Sequence, residues 1–164
     1  MRLLPLLCFA LALATSWLPA LNGQETREAV APVPRQILMA KTVFISNAGG
    51  AEPDLFSGGS NRAYNQFYAA VKSWGRYEIV SAPADADLIL EIHQPNRGEH
   101  TAYEALRLTI FDPNTHVILW AFTEHIEYAN RGRIRDQHFD QAMVKLMDDV
   151  KKLAGEPAAA GEKK

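Results

Sequence analysis

Residues 106–122 read LRLTIFDPNTHVILWAF, and they predict the β-hairpin around which the fold is organised. On both sides of the central turn, apolar residues dominate at a period of two, which is the period of a strand with one buried face. The segment Asp112-Pro113-Asn114 suits the turn, because Pro presets φ at its second position and Asn tolerates the third. The chain therefore predicts two long antiparallel strands joined by a short turn.

On either side of this hairpin, the hydrophobic period changes between that of a strand and that of a helix. Apolar residues recur every three or four positions over 61–74, which predicts a helix that ends at Gly75. A second such set over 139–153 predicts another amphipathic helix. The predicted strands, including the two of the hairpin, cover residues 42–46, 77–81, 88–94, 103–111 and 117–126.

The resulting order of elements, β-α-β-β-β-β-α, predicts an α+β fold. We expect a single mostly antiparallel sheet of about five strands, with one β-α-β crossover and two helices packed on one face. Residues 41–154 are predicted to form a single α+β domain, because about 115 residues can bury one core but not two. Residues 24–40 are interpreted as a linker, and residues 155–164 as a flexible tail.

The first 23 residues have the order of a secretory signal peptide. Arg2 precedes an apolar run from Leu3 to Leu13, and the small residues Ala20 and Gly23 follow. The run is shorter than the roughly 20 apolar residues that cross a membrane. We therefore expect an exported protein, periplasmic or secreted, that is cleaved after Ala20 or after Gly23. Membrane contact is expected only through an uncleaved leader.

The composition argues against several classes of function. The formal net charge is -2, which does not fit nucleic acid or a polybasic contact with a membrane surface. The single cysteine, Cys8, lies inside the leader, so the exported domain is expected to fold without disulfides and without thiol chemistry. No cofactor is predicted.

Two segments together resemble a broad set of bacterial envelope domains. One is ADADLIL at 84–90, where an Ala-Asp pair opens a strand, and the other is the hairpin at 106–120. The set comprises small exported proteins of unknown function and the non-catalytic domains of TolB-like (amino-terminal) and CsgG-like envelope proteins. Their hairpin has Thr-Gly after the turn, and here His116 stands in place of that Gly. The resemblance implies an assembly or accessory role and no set of catalytic residues.

A glycine-rich stretch between the first strand and the first helix is a candidate anion-binding site. Gly49, Gly50, Gly58 and Gly59 would let backbone N–H groups approach an anion at the helix start, where Arg62 would add a positive charge. The stretch lacks the Gly-Lys-Ser/Thr ending of a nucleotide-binding P-loop. The alternative interpretation is a plain flexible connection.

Two further groups of residues are candidate sites. Glu91, His93 and His125 would bind a zinc ion if their strands were neighbours, and they otherwise lie on a solvated sheet face. In the second group three arginines, which could meet an acidic partner or a lipid headgroup, occupy a basic loop. These partner-binding candidates are Arg131, Arg133 and Arg135.

The preferred function is a non-enzymatic binding or accessory module of the cell envelope. The chain is expected to be a monomer that contacts an envelope protein through the glycine-rich loop, the arginines or an exposed strand edge. One alternative is a metal-dependent hydrolase that uses Glu91, His93 and His125. A second alternative is a carrier that holds a small ligand between helix 61–74 and the sheet.

Overall fold

The computed structural model describes residues 31–50, 57–95 and 104–155. The predicted signal peptide, the start of the predicted linker and the tail after Gly155 lie outside the described residues. A compact unit begins at Pro32.

The described residues of this unit form three helices and five strands. They are, in chain order, α1 (Arg35–Met39), β1 (Thr42–Gly49), α2 (Arg62–Trp74), β2 (Glu78–Ile79), a 3-10 turn (Pro83–Asp85), β3 (Leu88–His93), β4 (Ala105–Phe111), β5 (Ile118–His125) and α3 (Gly132–Leu153).

The strands form one five-stranded sheet in the order β2-β1-β3-β4-β5. β1 pairs in parallel with β2 and with β3, whereas β3–β4 and β4–β5 are antiparallel pairs. The predicted α+β class and the single five-stranded sheet are confirmed, and the sheet is mixed. Because β2 has only two residues, one 3-10 turn is enough to bring the chain back to the start of β3.

The hydrophobic core lies between the sheet and the two long helices, which pack on the same face. Phe67 and Val71 of α2, together with Phe139 and Leu146 of α3, cover alternate residues of three strands. Those strand residues are Val43, Ile45, Leu88, Leu90, Ile92, Leu106, Leu108 and Ile110.

The end of α2 is where the sequence predicts it, whereas the start of α3 and the presence of α1 differ from the prediction. Gly75 ends α2 as predicted, in the left-handed conformation with φ of 70°, and its N–H donates to the carbonyl of Val71. α3 starts at Gly132, so most of the predicted basic loop is the first turn of this helix. α1 lies inside the segment predicted as a linker, and its Ile37 is 1% exposed.

Asp87 joins the start of β1 to the start of β3. Its carboxylate accepts hydrogen bonds from the backbone N–H groups of Lys41 (2.7 Å) and Thr42 (3.0 Å), and its own N–H donates to the carbonyl of Thr42 (3.1 Å). These two backbone donors hold the pKa of Asp87 below its ordinary value. The contacts fix the register of the central parallel pair.

Candidate functional site

The sheet face that points away from the helices carries a row of apolar side chains, which we call the apolar row. Phe44 pairs with Ile89, Ile89 with Phe111, and Phe111 with Ile118, so the row crosses four strands, with a register shift between β4 and β5 just before its last pair. Val80 extends it at the other end, because it follows β2 directly and its N–H bonds to β1 (2.9 Å). Ile118 is 59% exposed, and Phe44, Ile89 and Phe111 are half-buried.

The rows beside the apolar row are polar. Ser46 pairs with Glu91 and Glu91 with Thr109, while Arg107 of β4 pairs with His93 of β3. A solvated sheet face normally presents polar residues at every outward position. A contiguous apolar strip with a polar border is instead typical of an interaction surface.

The sequence contains a signal for the apolar row that the period-of-two argument misses. The strand cores at 43–45, 88–90 and 117–120 read VFI, LIL and VILW, without alternation. Continuous apolar runs of this kind predict a strand that is covered on both faces. Here the helices cover one face, and the described residues place no element on the other.

The three predicted zinc ligands are not brought together. Glu91 and His93 lie on β3 and His125 lies on β5, with β4 between them, where Arg107 is opposite His93 and Ala105 is opposite His125. Among the described residues, no group of three His, Cys, Asp or Glu is placed to hold a metal ion.

At the glycine-rich stretch, the structure places an internal negative charge. Asp136 of α3 accepts hydrogen bonds from the backbone N–H of Ser57 (3.0 Å) and from its hydroxyl (2.6 Å). Arg62, in the first turn of α2, forms ion pairs with Asp136 and with Asp140 (2.7 Å). The side chains of α3 therefore supply the charge that an external anion would bring.

Arg62 is buried, which is unusual for a charged residue. It is 8% exposed, and its guanidinium carbon lies 4.3 Å from the ring centroid of Phe139. A buried cation is costly unless it is paired, and here two carboxylates and a ring face surround it. The hydrogen bonds from Ser57, together with Arg62, hold the pKa of Asp136 below its ordinary value. An external anion would have to compete with Asp136 for the same donors.

Of the four glycines, Gly50 is the one at which close packing excludes a side chain. A Cβ at this position would lie 2.3 Å from the carbonyl oxygen of Gln94 and 2.7 Å from Cε1 of His93. The backbone of Gly50 therefore passes directly over the end of β3, at a φ of 104° that side chains rarely adopt. Gly49 ends β1, and Gly58 and Gly59 precede α2.

The structure divides the three arginines between two environments. Arg131 lies just before α3, and Arg133 and Arg135 lie in its first turn. Successive helical residues are about 100° apart, so Arg133 points to a different side from Arg135. Arg131 and Arg133 are exposed, whereas Arg135 is half-buried and its Nε is shielded from solvent.

The space between α2 and the sheet, where a carried ligand was expected, is filled. Phe67 and Val71 are both 0% exposed there. A cavity of about 320 Å³ lies instead on the outer side of the helix layer, between α2 and α3, where Trp74, Met143 and Met147 contribute to its wall.

Comparisons with known proteins give similarity to solved structures alone. No family model matches the sequence, and no curated protein matches it. The chain is similar to a PelC dodecamer from Paraburkholderia phytofirmans at 12% identity, over 71% of this chain and 89% of that one, with a TM-score of 0.44. It is also similar to a DUF330 protein from Xanthomonas campestris, at 12% identity over 70% and 84%, with a TM-score of 0.40.

A third similar structure is the uncharacterized lipoprotein B of Nitrosomonas europaea, at 13% identity over 76% of this chain and 88% of that one, with a TM-score of 0.35. These neighbours are DUF330 and lipoprotein structures and PelC, so the predicted resemblance to TolB-like and CsgG-like domains is not shown. With TM-scores below 0.5, no argument about function rests on them. Within the described ranges, no helix is long and apolar enough to span a membrane.

Proposed function

We propose that this chain is a non-enzymatic binding or accessory module of the bacterial cell envelope, exported to the periplasm or beyond. The observation that carries the proposal is the apolar row, which crosses the sheet on the face opposite the helices. We further propose that its occupant is an envelope protein with an apolar ridge. At about 4.8 Å per strand, the row is roughly 20 Å long, which matches three to four turns of a helix.

The polar border favours a protein over a membrane surface as the occupant. Glu91 lies in the row next to the apolar row and Arg107 lies in the row beyond it, so both signs of charge occur on that side of the apolar row. A membrane surface with anionic lipids attracts uniformly basic borders. Mixed charges around an apolar centre are typical of a protein interface, in which the border sets the orientation of the partner.

The test is site-specific photo-crosslinking in intact cells, with the chain expressed with its own leader. The crosslinker replaces Phe111 in the centre of the row, and in the matched control it replaces Val144 of α3, which is 60% exposed on the opposite layer. We expect one envelope protein to be crosslinked from Phe111 and not from Val144. The adduct should be lost when Ile118→Asp is added and retained when Arg133→Asp is added.

Three results would overturn the proposal. The first is the absence of any row-specific adduct, and the second is an adduct that Ile118→Asp leaves intact. The third is an adduct between two copies of this chain through Phe111, because the row would then be a contact between copies and not a site for another protein.

A further inference from the structure

The outer edge of β5 differs from the opposite edge of the sheet. β5 is the last strand and has eight residues, whereas β2 at the other edge has two. Within the described residues, β4 is the one strand that pairs with β5. Ile126 donates its N–H to Glu104 of the β4 side (2.9 Å), so by the alternation of the regular ladder from Trp120 onward Ala121, Thr123 and His125 direct their backbone groups outward.

From Trp120 to His125 the edge of β5 carries few of the features that protect exposed strands. Natural edges are shortened, bulged, interrupted by Pro or covered with charges, and this segment contains no bulge, no Pro and no Lys, with Glu124 as its one carboxylate. Its one register irregularity lies between Trp120 and Ile118, so the ladder is regular from Trp120 to the end of the strand. The regular edge from Trp120 to His125 is a template for another strand.

We propose that β5 of a second copy of this chain pairs with this edge, antiparallel, with Ala121 opposite Ala121 on the two-fold axis. A two-fold contact uses the same surface on both copies, so a strand that pairs with itself must be complementary to its own reversed sequence. Ala121 lies in the middle of the strand, and its small side chain lets the two backbones approach at the axis.

This register makes β5 complementary to itself. It places Trp120 of each copy opposite Phe122 of the other, which gives two aromatic cross-strand pairs. Both rings are half-buried against the core of their own copy, with centroids 6.5 Å apart. Because β5 is the last strand, the sides of these rings that face its edge would be covered by the second copy.

This register brings no like charges together. With Ala121 on the axis, the Glu124 residues of the two copies lie on opposite sides of the axis, and each faces the irregular start of the other strand. If the axis moved by one residue to Phe122, Glu124 would lie opposite Trp120 and the mixed aromatic pairs would be lost. A single strand pair buries less than the about 800 Å² per partner of a standard interface, so we expect a weak, concentration-dependent dimer.

Cysteine crosslinking tests the contact and its register. In the Cys8→Ser background the chain has no other cysteine, and Ala121→Cys should form a disulfide-linked dimer on mild oxidation of periplasmic extracts. Val144→Cys, more exposed but on α3, is the control. We expect at least tenfold more dimer from Ala121→Cys than from Val144→Cys, and less from Thr123→Cys than from Ala121→Cys.

Sedimentation provides the second measurement. The molecular mass of the Cys8→Ser chain should rise with concentration, and Ala121→Pro should abolish the rise. The N–H that proline removes points away from β4, so the circular dichroism spectrum should be retained. Equal crosslinking from positions 121 and 144, stronger crosslinking from position 123, or a mass that does not change up to millimolar concentration would overturn the proposal.

Discussion

Asp136 of α3 lies in an ion pair with Arg62 of α2, and the two residues are 74 positions apart in the chain. This contact joins the entrance of the first long helix to the first turns of the last one. Asp136 also accepts the N–H and the hydroxyl of Ser57, so it holds the end of the glycine-rich stretch as well. The described end of the stretch, at Ser57, is thereby held by the same side chain that would compete with an external anion.

Replacing Arg62 should destabilise the fold markedly. Arg62→Met keeps most of the contact with Phe139 but leaves the carboxylate of Asp136, whose side chain is 24% exposed, without its cation. Breaking a fully buried pair costs about 3–5 kcal/mol, and the partial exposure of Asp136 reduces the expected loss to about 2–3 kcal/mol. Asp140→Asn is the control, because Asp140 is 56% exposed and should cost under about 1 kcal/mol. Urea unfolding midpoints measure both, and equal losses would contradict the assignment.

Acid should weaken the fold through Asp136. Its pKa is lowered in the folded chain by the hydrogen bonds of Ser57 and by Arg62. Its stabilising contribution is therefore complete above the ordinary pKa of 3.8 and is lost as the pH falls from there through the lowered pKa. Asp136→Asn should flatten this part of a plot of unfolding free energy against pH. An unchanged slope between pH 5 and about pH 2 would exclude the effect.

Glu124 should have the opposite pH dependence. Burial and the neighbouring carboxylate of Asp149 raise its pKa in the folded chain above the ordinary value of 4.5. Its contribution to stability is therefore present below pH 4.5 and is lost as the pH rises through the raised pKa. Glu124→Gln should stabilise the chain at pH 7 by less than about 1 kcal/mol and have no such benefit at pH 4. Thermal unfolding at the two pH values measures this, and a loss of stability at pH 7 would count against it.

Two glycines of the same stretch should respond differently to alanine. Gly50→Ala brings Cβ against the backbone of Gln94 and should lower the free energy of unfolding by about 2–3 kcal/mol. A Cβ at Gly59 would meet no atom within 4 Å, so Gly59→Ala should cost only the strain of its positive φ, about 1 kcal/mol. Chemical denaturation of both variants gives the comparison. Similar costs would mean that the close approach at Gly50 is relieved by a small backbone shift.

His116 should be better replaced by glycine. It has a φ of 58° in the turn between β4 and β5, a conformation that glycine adopts more readily than any residue with a side chain. A side chain in this conformation costs about 1–2 kcal/mol, and part of the gain is offset by the greater flexibility of Gly in the unfolded chain. His116→Gly should therefore stabilise the chain by about 0.5–1 kcal/mol. A lower melting temperature than that of the unmodified chain would refute the argument.

The hairpin could be predicted because its determinants are local. Asp112 accepts hydrogen bonds from the N–H of Asn114 (3.0 Å) and the hydroxyl of Thr115 (2.8 Å), all within four residues. The helix end at Gly75 was predicted for the same reason. The predicted start of α3, at residue 139, is too late, because the basic loop before it shows no helical period of apolar residues. Ile134 and Arg135 of that loop are part of the helix.

Contacts between distant parts of the chain could not be read from the sequence. Whether His93 and His125 meet depends on which strand lies between them, and that order follows from how the whole sheet assembles. The pairing of Arg62 with Asp136 likewise depends on the two helices lying side by side. The apolar row could be predicted in part. The apolar runs of its strands are visible in the sequence, but which of their residues lie side by side depends on the register of the strands.

The brevity of β2 determines how large an assembly built through the sheet edges can become. When two copies join at β5, each remaining outer edge is a two-residue strand. Such an edge offers too few backbone donors and acceptors to template a further copy. In the proposed dimer, growth along the sheet therefore stops at two copies, and the short edge of β2 protects the chain from polymerising into fibrils.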